Sequence, residues 1–384
     1  MNRINAVDVL RGLVMVIMAL DHTRDWLHVS ALTQSPTDLA TTTPLLFFTR
    51  WVTYFCAPIF VFLAGTSAYL SAQNQTDLTA TRRFLWRRGL WLVILEFTLV
   101  NFAIWFDPKF RTFLFQVIAA IGFSLIVLAC LLKLSSRVIG LIGLIIMGGH
   151  GLFALLSPGI AAPPRSALAP LFSLTPLQIS PQLTLVIAYP LIPWLGILLA
   201  GYGAGQLFAR VDRKAVFVKI GLAALAFFTA LRFLNLYGDP AKWSAQRNGL
   251  FTVLSFFNVS KYPPSLLFTL LTLGVMFLLL ALAEGKENRL GDVLMVYGKV
   301  PLFYYLLHLY LLHLLMFVMV FWQGYGWSDM EFGFNFGRPK TGGGVGLGAV
   351  YLIWLGAVAA LYPLCRWYGN YKASHRENSW LRYL

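Results

Sequence analysis

The stretch "VDVLRGLVMVIMALDHTRDWLH", residues 7–28, sets the reading of the whole chain. An apolar run, Leu13 to Leu20, is flanked by Asp8 and Arg11 on one side and by Asp21, His22, Arg24, Asp25 and His28 on the other. A run of this length with charge at both ends suits a membrane-crossing helix whose polar groups have work to do, since ionisable side chains are costly in lipid. Helix geometry sharpens this. From Arg11 to His22 is eleven steps along the helix, which at about 100° per residue is within about 20° of whole turns. Asp8 to His22 falls about 40° short of whole turns. Asp8, Arg11 and His22 therefore share one face, with Arg11 and His22 about 16 Å apart along the axis.

Asp25 follows His22 by three residues and lies on the next turn, within reach of it; Asp21 points about 100° away. A carboxylate beside an imidazole fixes its tautomer and raises its basicity, as a general base requires. The alternative is a salt-bridged helix end, with Asp21 or Asp25 paired to Arg24.

The remainder of the sequence fits a membrane. Of 384 residues, 58% are hydrophobic and 12% charged, about half the charged share of a soluble protein. Apolar runs recur at 8–29, 46–72, 86–106, 113–133, 138–157, 184–209, 215–237, 263–283, 298–321 and 347–368, and no polar stretch is large enough for a soluble domain. The expected fold is all-α: a polytopic bundle of about ten transmembrane helices, forming one domain over 1–384. The segment "MNRINAVDVLRG" has no A-x-A cleavage signal after its apolar run and reads as a retained first helix.

With the N-terminus inside and the chain alternating, 19 of the 30 Lys and Arg residues fall on inside segments, from Arg3 and Arg11 to Arg376 and Arg382. That bias predicts both termini to be cytoplasmic. It also accounts for the net charge of +15 without nucleic acid, because no long basic stripe is interleaved with exposed aromatics. Cys56, Cys130 and Cys365 are far apart and form no CxxC, so neither metal nor redox chemistry is indicated.

The long connections, about 30–45, 158–183, 238–262 and 322–346, then face outward. "YGDPAKWSAQRNG" and "NVSKYPPS", the latter carrying Lys261, mix charge, aromatics and turn formers. They suit either a sugar-like acceptor or a cap at the aromatic belt of the bundle. "PKTGGGVGLG" is a Gly-rich hinge; it lacks the Lys-Ser/Thr of a phosphate-binding loop.

Further polar groups lie inside later spans. In "YGKVPLFYYLLHLYLLH", His308 and His313 are five residues apart, about 140° around a helix, which argues against a shared metal. His308 sits at mid-depth, with Tyr304, Tyr305 and Tyr310 as prospective partners. Glu96 is the other deep charge, expected to pair with a basic residue of a neighbouring helix.

The first span resembles the opening signature of transmembrane acyltransferases, in which an arginine, ten residues and a histidine mark the catalytic helix. Arg11 and His22 fit that spacing. "RWVTYFCAPIFVFLAGTSAYL" (50–70), "AYPLIPWLGILLAGYGAG" (188–205), "NVSKYPPSLL" (258–267), "PLFYYLLHLYLLH" (301–313) and "LYPLCRWYGNYKASH" (361–375) make the chain similar to the bacterial branch of the heparan-α-glucosaminide N-acetyltransferase catalytic-domain family. The resemblance implies transfer of an acetyl or other short acyl group from cytoplasmic acyl-CoA, a co-substrate, to an extracytoplasmic glycan hydroxyl or amine, in the inner membrane and with no metal. On that reading His22 is expected as the base, Asp21 or Asp25 as its support, and Arg11, Asp8, Lys261, His308 and Tyr305 are the expected donor- or substrate-binding residues. By the alignment to the lysosomal relative, His28 is the better match to the active histidine; His22 matches the wider superfamily. A ping-pong route through acetyl-histidine is the variant within this class. The resemblance leaves open monomer or homodimer. The competing class is a transporter or flippase of a small polar or lipid-linked substrate, for which Glu96, His308 and the Gly- and Pro-containing spans would suit; the absence of an inverted repeat counts against it. A non-catalytic scaffold would leave these deep charges as an unneeded cost.

Overall fold

A computed structural model of the chain describes residues 4–73, 77–156, 159, 162–285, 288–339, 342–375 and 377–382. Arg3, Lys286 and Arg376, which contribute to the orientation count, and Lys340 and Thr341 of the Gly-rich stretch lie outside the described residues.

The chain is mostly helical, and seven helices are long and apolar enough to cross a membrane: Pro44–Ala72, Leu78–Trp105, Leu191–Ala209, Arg213–Leu234, Leu266–Ala283, Pro301–Trp322 and Leu347–Ser374. Val117–Leu131 and Ser136–Gly149 are shorter apolar helices. The helix Asn5–Leu27 is long enough but carries Asp8, Arg11, Asp21, Arg24 and Asp25. Each of the ten apolar runs of the sequence thus contains a helix. The seven long helices are unevenly wrapped by protein: only 17% of the most apolar stretch of Leu347–Ser374 and 22% of that of Arg213–Leu234 is buried. Such faces need lipid around them, and the protein is a multi-pass membrane protein.

The helices divide into two compact units. One comprises the described residues among 57–96 and 114–284 together with Ile4; the other comprises those among 5–56, 97–113 and 285–382.

The second unit is built around α1 (Asn5–Leu27). With it go α2 (Pro44–Thr53), the short α5 (Asn101–Trp105), α14 (Arg289–Lys299), α15 (Pro301–Trp322) and α16 (Leu347–Ser374). α1 and α14 touch backbone to backbone. A Cβ added at Gly12 would lie 1.8 Å from the Leu294 carbonyl oxygen, and one at Gly298 1.8 Å from that of Asp8. Only glycine permits this approach, as in closely packed membrane helices. α16 is tied to α1 by the Trp354 indole, which donates to the Val16 carbonyl (2.7 Å), and to α14 by Tyr297, whose hydroxyl donates to Val358 (2.9 Å). The turn Glu96–Val100 is a π-helix. Such a turn displaces carbonyls from the regular ladder, and Tyr310 of α15 donates to the one at Leu99 (2.9 Å).

The first unit contains α3 (Cys56–Ala72), α4 (Leu78–Leu95), α6 (Val117–Leu131), α7 (Ser136–Gly149), α10 (Leu191–Ala204), α11 (Arg213–Leu234), α12 (Gly249–Phe257) and α13 (Leu266–Ala283). Glu96 is fully buried here, and its partner differs from the sequence expectation. Instead of meeting a basic side chain, it accepts the Ala119 backbone N–H (2.9 Å) in the first turn of α6. A helix N-terminus offers unsatisfied donors and a partial positive charge, so it serves a carboxylate as a cation would.

A β-hairpin, β1 (Thr175–Ser180) with β2 (Leu183–Ile187), lies in the connection before α10; its register pairs Thr175 with Ile187 and Leu177 with Leu185. Hydropathy merges residues 184–187 into a helical span, but they pair with the preceding strand, and the helix starts only after its cap, Pro190. The 238–262 connection is tightly built. Buried Arg232 donates to the carbonyls of Ala241, Ser255, Phe256 and Asn258 at 2.7–3.0 Å, and Asp239 accepts from Ser260 N (2.8 Å) and Ser265 Oγ (2.6 Å). Burial pushes the Asp239 carboxyl above its usual range despite those bonds. Trp243 packs against Phe233 and Phe256, so its indole belongs to this loop core. Lys261 is buried in the same connection, 5.2 Å from the Tyr262 ring centre.

Candidate active site

Two polar systems occupy the C-terminal half of α1. The first is ionic. Arg50 of α2 places Nη1 2.6 Å from each Asp21 carboxylate oxygen, Thr53 donates to Asp21 Oδ1 (2.8 Å), and Arg24 Nη2 lies 2.8 Å from the same oxygen. Arg24 Nη2 also meets Asp25 Oδ1 at 2.5 Å. Two carboxylates and two guanidinium groups thus neutralise one another, which is how buried charges are normally tolerated. Asp25, one turn from His22, turns to Arg24; the contacts of Asp21 likewise run to Arg24, Arg50 and Thr53. This is the salt-bridged helix end that the sequence offered as the alternative.

The second system is a pair of imidazoles. His22 Nδ1 is 2.8 Å from His308 Nε2. The ring planes differ by 12° and the centroids are 5.0 Å apart, about one such bond plus two ring radii. The rings are therefore nearly coplanar, edge to edge, with the bond along the nitrogen lone pair. His308 Nδ1 is in turn 3.1 Å from the Tyr304 carbonyl oxygen, one turn earlier on α15.

These contacts fix the proton positions. A carbonyl oxygen only accepts, so His308 Nδ1 carries a hydrogen. In the neutral ring its Nε2 is then bare and accepts from His22. His22 must donate through Nδ1–H, which leaves its Nε2 with the lone pair. The carboxylate expected to orient His22 is replaced in this arrangement by a second histidine.

His28 has the opposite tautomer. The Ser30 backbone N–H, which only donates, points at its Nδ1 (3.4 Å), and Ser30 Oγ lies 3.0 Å from the same atom. The neutral His28 ring therefore carries its proton on Nε2. Its carbonyl oxygen receives Arg338 Nη1 (3.0 Å), and the positive charges of Arg24 and Arg338 flank the ring. Arg338 is 1% exposed and also donates to Gly343 (2.7 Å), and burial lowers its pKa. It is held by carbonyls at the end of α1, where the helix dipole favours a cation. The glycine run is part of the same construction: Gly342, Gly343 and Gly344 all have positive φ, and Val345 exchanges backbone bonds with Leu27 (2.8 Å) and Val29 (3.0 Å).

Around the imidazoles are aromatic rings. Trp26, one turn after His22, lies 5.8 Å from it and 5.1 Å from His313. His313 is fully buried between Trp26, Phe106 (4.1 Å) and Phe317 (5.0 Å). Among the described residues, no hydrogen bond of good geometry reaches either of its ring nitrogens, although the backbones of Ala103 and Phe336 lie close. Tyr305 packs at an angle against His308 (5.5 Å, 57°). At the other end of α1, Arg11 Nη1 lies 3.4 Å from Asp8 Oδ1.

The second unit therefore gathers His22, His28, His308, Tyr305, Asp21 and Asp25 around one half of α1, with Arg11 and Asp8 paired near its start. Lys261 belongs to the first unit. Trp26, Arg50 and Arg338 carry as much of the arrangement as the residues singled out from sequence. Trp26 is legible in retrospect, since four residues after His22 is the same helix face. Arg338 has no local signal, because it acts through a loop.

Among the described residues, no group of three or more His, Cys, Asp or Glu is placed to hold a metal ion. No curated protein matches the chain. The family model described as heparan-alpha-glucosaminide N-acetyltransferase, catalytic, matches residues 3–239, more than half of the sequence. The stretches at 50–70 and 188–205 lie within the match; those at 258–267, 301–313 and 361–375, including His308, lie beyond it. The chain belongs to the heparan-alpha-glucosaminide N-acetyltransferase catalytic-domain family and is a membrane enzyme of acetyltransferase type.

Proposed function

We propose that the protein transfers an acetyl or other short acyl group from cytoplasmic acyl-CoA to a sugar hydroxyl or amine on the far side of the inner membrane, with His22 as general base. The observation that carries this is the ordered pair of imidazoles: Tyr304 O accepts from His308 Nδ1, and His308 Nε2 accepts from His22 Nδ1. A base needs its lone pair on a known atom, and this chain assigns it to His22 Nε2.

In the reaction, Nε2 removes the proton of the acceptor O–H or N–H as that atom attacks the thioester carbonyl. The tetrahedral intermediate collapses with cleavage of the C–S bond. The departing thiolate takes that proton from the His22 imidazolium, leaving as the thiol, and the base is restored. His308 holds the ring in register and accepts the hydrogen bond from His22 Nδ1–H throughout. His28 has the tautomer of a donor, and its Nε2–H is suited to hold the acceptor near the end of α1. Asp21 and Asp25 act through the ion cluster that fixes α1 against α2. Arg11 secures the donor end of α1 through Asp8, and Arg11 and Tyr305 are assigned to donor or acceptor binding; Lys261, in the first unit, is assigned to substrate binding by itself. The inside location of both termini, with the basic loops meeting the coenzyme phosphates, belongs to the same proposal.

The test is transfer of radiolabelled acetyl from acetyl-CoA to glucosamine by the purified protein in liposomes. Transfer that is lost in His22→Ala and kept in part in His28→Ala supports the assignment. Normal transfer by His22→Ala contradicts it.

A further inference from the structure

The hydroxyl of Tyr304 is unexplained by the base alone. Tyr304 is fully buried, and among the described residues its O–H has no hydrogen-bond partner. Its polar neighbours are poor substitutes. Tyr297 packs edge-on against it (5.2 Å) but commits its own hydroxyl to Val358, and Cys365 and Cys56 offer only thiols. A buried hydroxyl without a partner costs the folded state its full desolvation penalty, and proteins retain few of them without a reason. Other buried donors also lack partners, among them the indoles of Trp105 and Trp194. Tyr304 differs from these in position: its ring runs nearly parallel to His308 (10°, centroids 5.3 Å apart), and His308 bonds to His22.

We infer that the Tyr304 hydroxyl is the hydrogen-bond donor to the carbonyl oxygen of the acyl donor, on which negative charge develops as the acceptor attacks. The inference rests on the acyl-transfer reading above. Two observations support it. The group is a neutral donor in an apolar surround, where a bond to a developing oxyanion is strong and requires little reorganisation. It also lies beside the pair that holds the base: its ring is 5.3 Å from His308, which is bonded to His22, and Tyr304 precedes His308 by one turn of α15, so in the proposed orientation it stands on the cytoplasmic side, from which the donor arrives.

Tyr304→Phe tests this, because it removes one oxygen and keeps the ring. Three quantities are compared with wild type in liposomes: the thermal midpoint, kcat for acetyl transfer to glucosamine, and the ratio of affinities for acetyl-CoA and for its thioether analogue ethyl-CoA, which has no carbonyl. The expected result is an unchanged or raised midpoint, a kcat about 10²-fold lower, and loss of a preference for acetyl-CoA of about 3–10-fold. Wild-type kcat and preference with a raised midpoint would overturn the inference, leaving an ordinary unpaired hydroxyl. His22→Ala in the same series separates the two claims: if His22→Ala is dead and Tyr304→Phe is normal, only this inference falls. If wild type itself transfers nothing, the functional reading falls with it.

Discussion

His22 and Asp21 are adjacent on one helix and belong to two different kinds of polar structure. Asp21 sits in a closed ionic cluster: Arg50 and Arg24 oppose its charge, and Thr53 takes a further lone pair. Its capacity is spent on holding α1 to α2. His22 sits in a chain of neutral donors and acceptors that starts at a backbone carbonyl and ends with a lone pair on Nε2. The ionic cluster has two charges of each sign to balance, whereas the bond between the imidazoles joins two rings that can each exchange a proton. Proximity in sequence, then, does not decide which residue is reactive. Where the hydrogen bonds terminate does.

This contrast can be broken from either side. The largest expected effect is that of His22→Ala, which removes the lone pair: acetyl transfer should fall by about 10²–10⁴-fold, with the thermal midpoint close to wild type. Next is Asp21→Ala. It leaves Arg50 and Arg24 with an unmatched charge and should lower stability by about 3–5 kcal/mol, read as a fall in the thermal midpoint. If transfer fell with stability intact, Asp21 would belong to the chemistry after all.

His308 sharpens the comparison further. Replacement by Leu removes the acceptor for His22 Nδ1–H and should lower kcat by about 10-fold or more with KM little changed, since a neutral hydrogen bond that orients the base is lost. His308→Gln retains a carbonyl acceptor and should recover part of that loss, an outcome that a purely packing role would not give.

Smaller effects lie at the exposed ends. The Asp25 side chain is 43% exposed, so Asp25→Ala should cost about 1 kcal/mol or less although its bond to Arg24 is short. Asp107 shows the pH dependence of such a pair. Burial alone would raise its pKa, but hydrogen bonds from Arg111 and from the backbone at Lys109 and Arg111 hold it below the usual carboxylate range. A carboxylate depressed in the folded state stabilises above its unfolded pKa and loses that contribution as pH falls through its folded pKa. Asp107→Asn should therefore lower the midpoint slightly at neutral pH and leave it unchanged in strong acid. Arg111 is 47% exposed, which keeps the effect within about 1 kcal/mol.

Much of the fold is readable from the sequence, because hydropathy reports the environment of each helix. All ten apolar runs contain one, and the charged first run is a helix from Asn5 to Leu27 despite its polar residues. The hairpin at 175–187 is less legible, since its second strand is apolar enough to pass as the start of a span. Within the site, angular arithmetic along α1 puts Asp8, Arg11 and His22 on one face. Pairing across the chain is another matter. His308 is 286 residues from His22, and nothing in a single sequence distinguishes it from His313 as a partner. The same holds for Asp25: spacing puts it within reach of His22, but Arg24, adjacent to it in sequence and bonded also to the buried Asp21, draws it into the ion cluster. Glu96 is the clearest case, because its partner is a helix N-terminus and carries no charged residue to search for.

The position of the ring proton on His22 is read by solid-state NMR of the protein labelled with ¹⁵N in its histidine rings and held in lipid, with His22→Gln and His308→Gln used to assign the signals. The account predicts, near neutral pH, a protonated Nδ1 and a bare Nε2 in both His22 and His308, with a hydrogen bond from His22 Nδ1 to His308 Nε2, and the reverse tautomer in His28. A His22 ring protonated at Nε2 would contradict it, because the nitrogen proposed to take the acceptor's proton would already hold one.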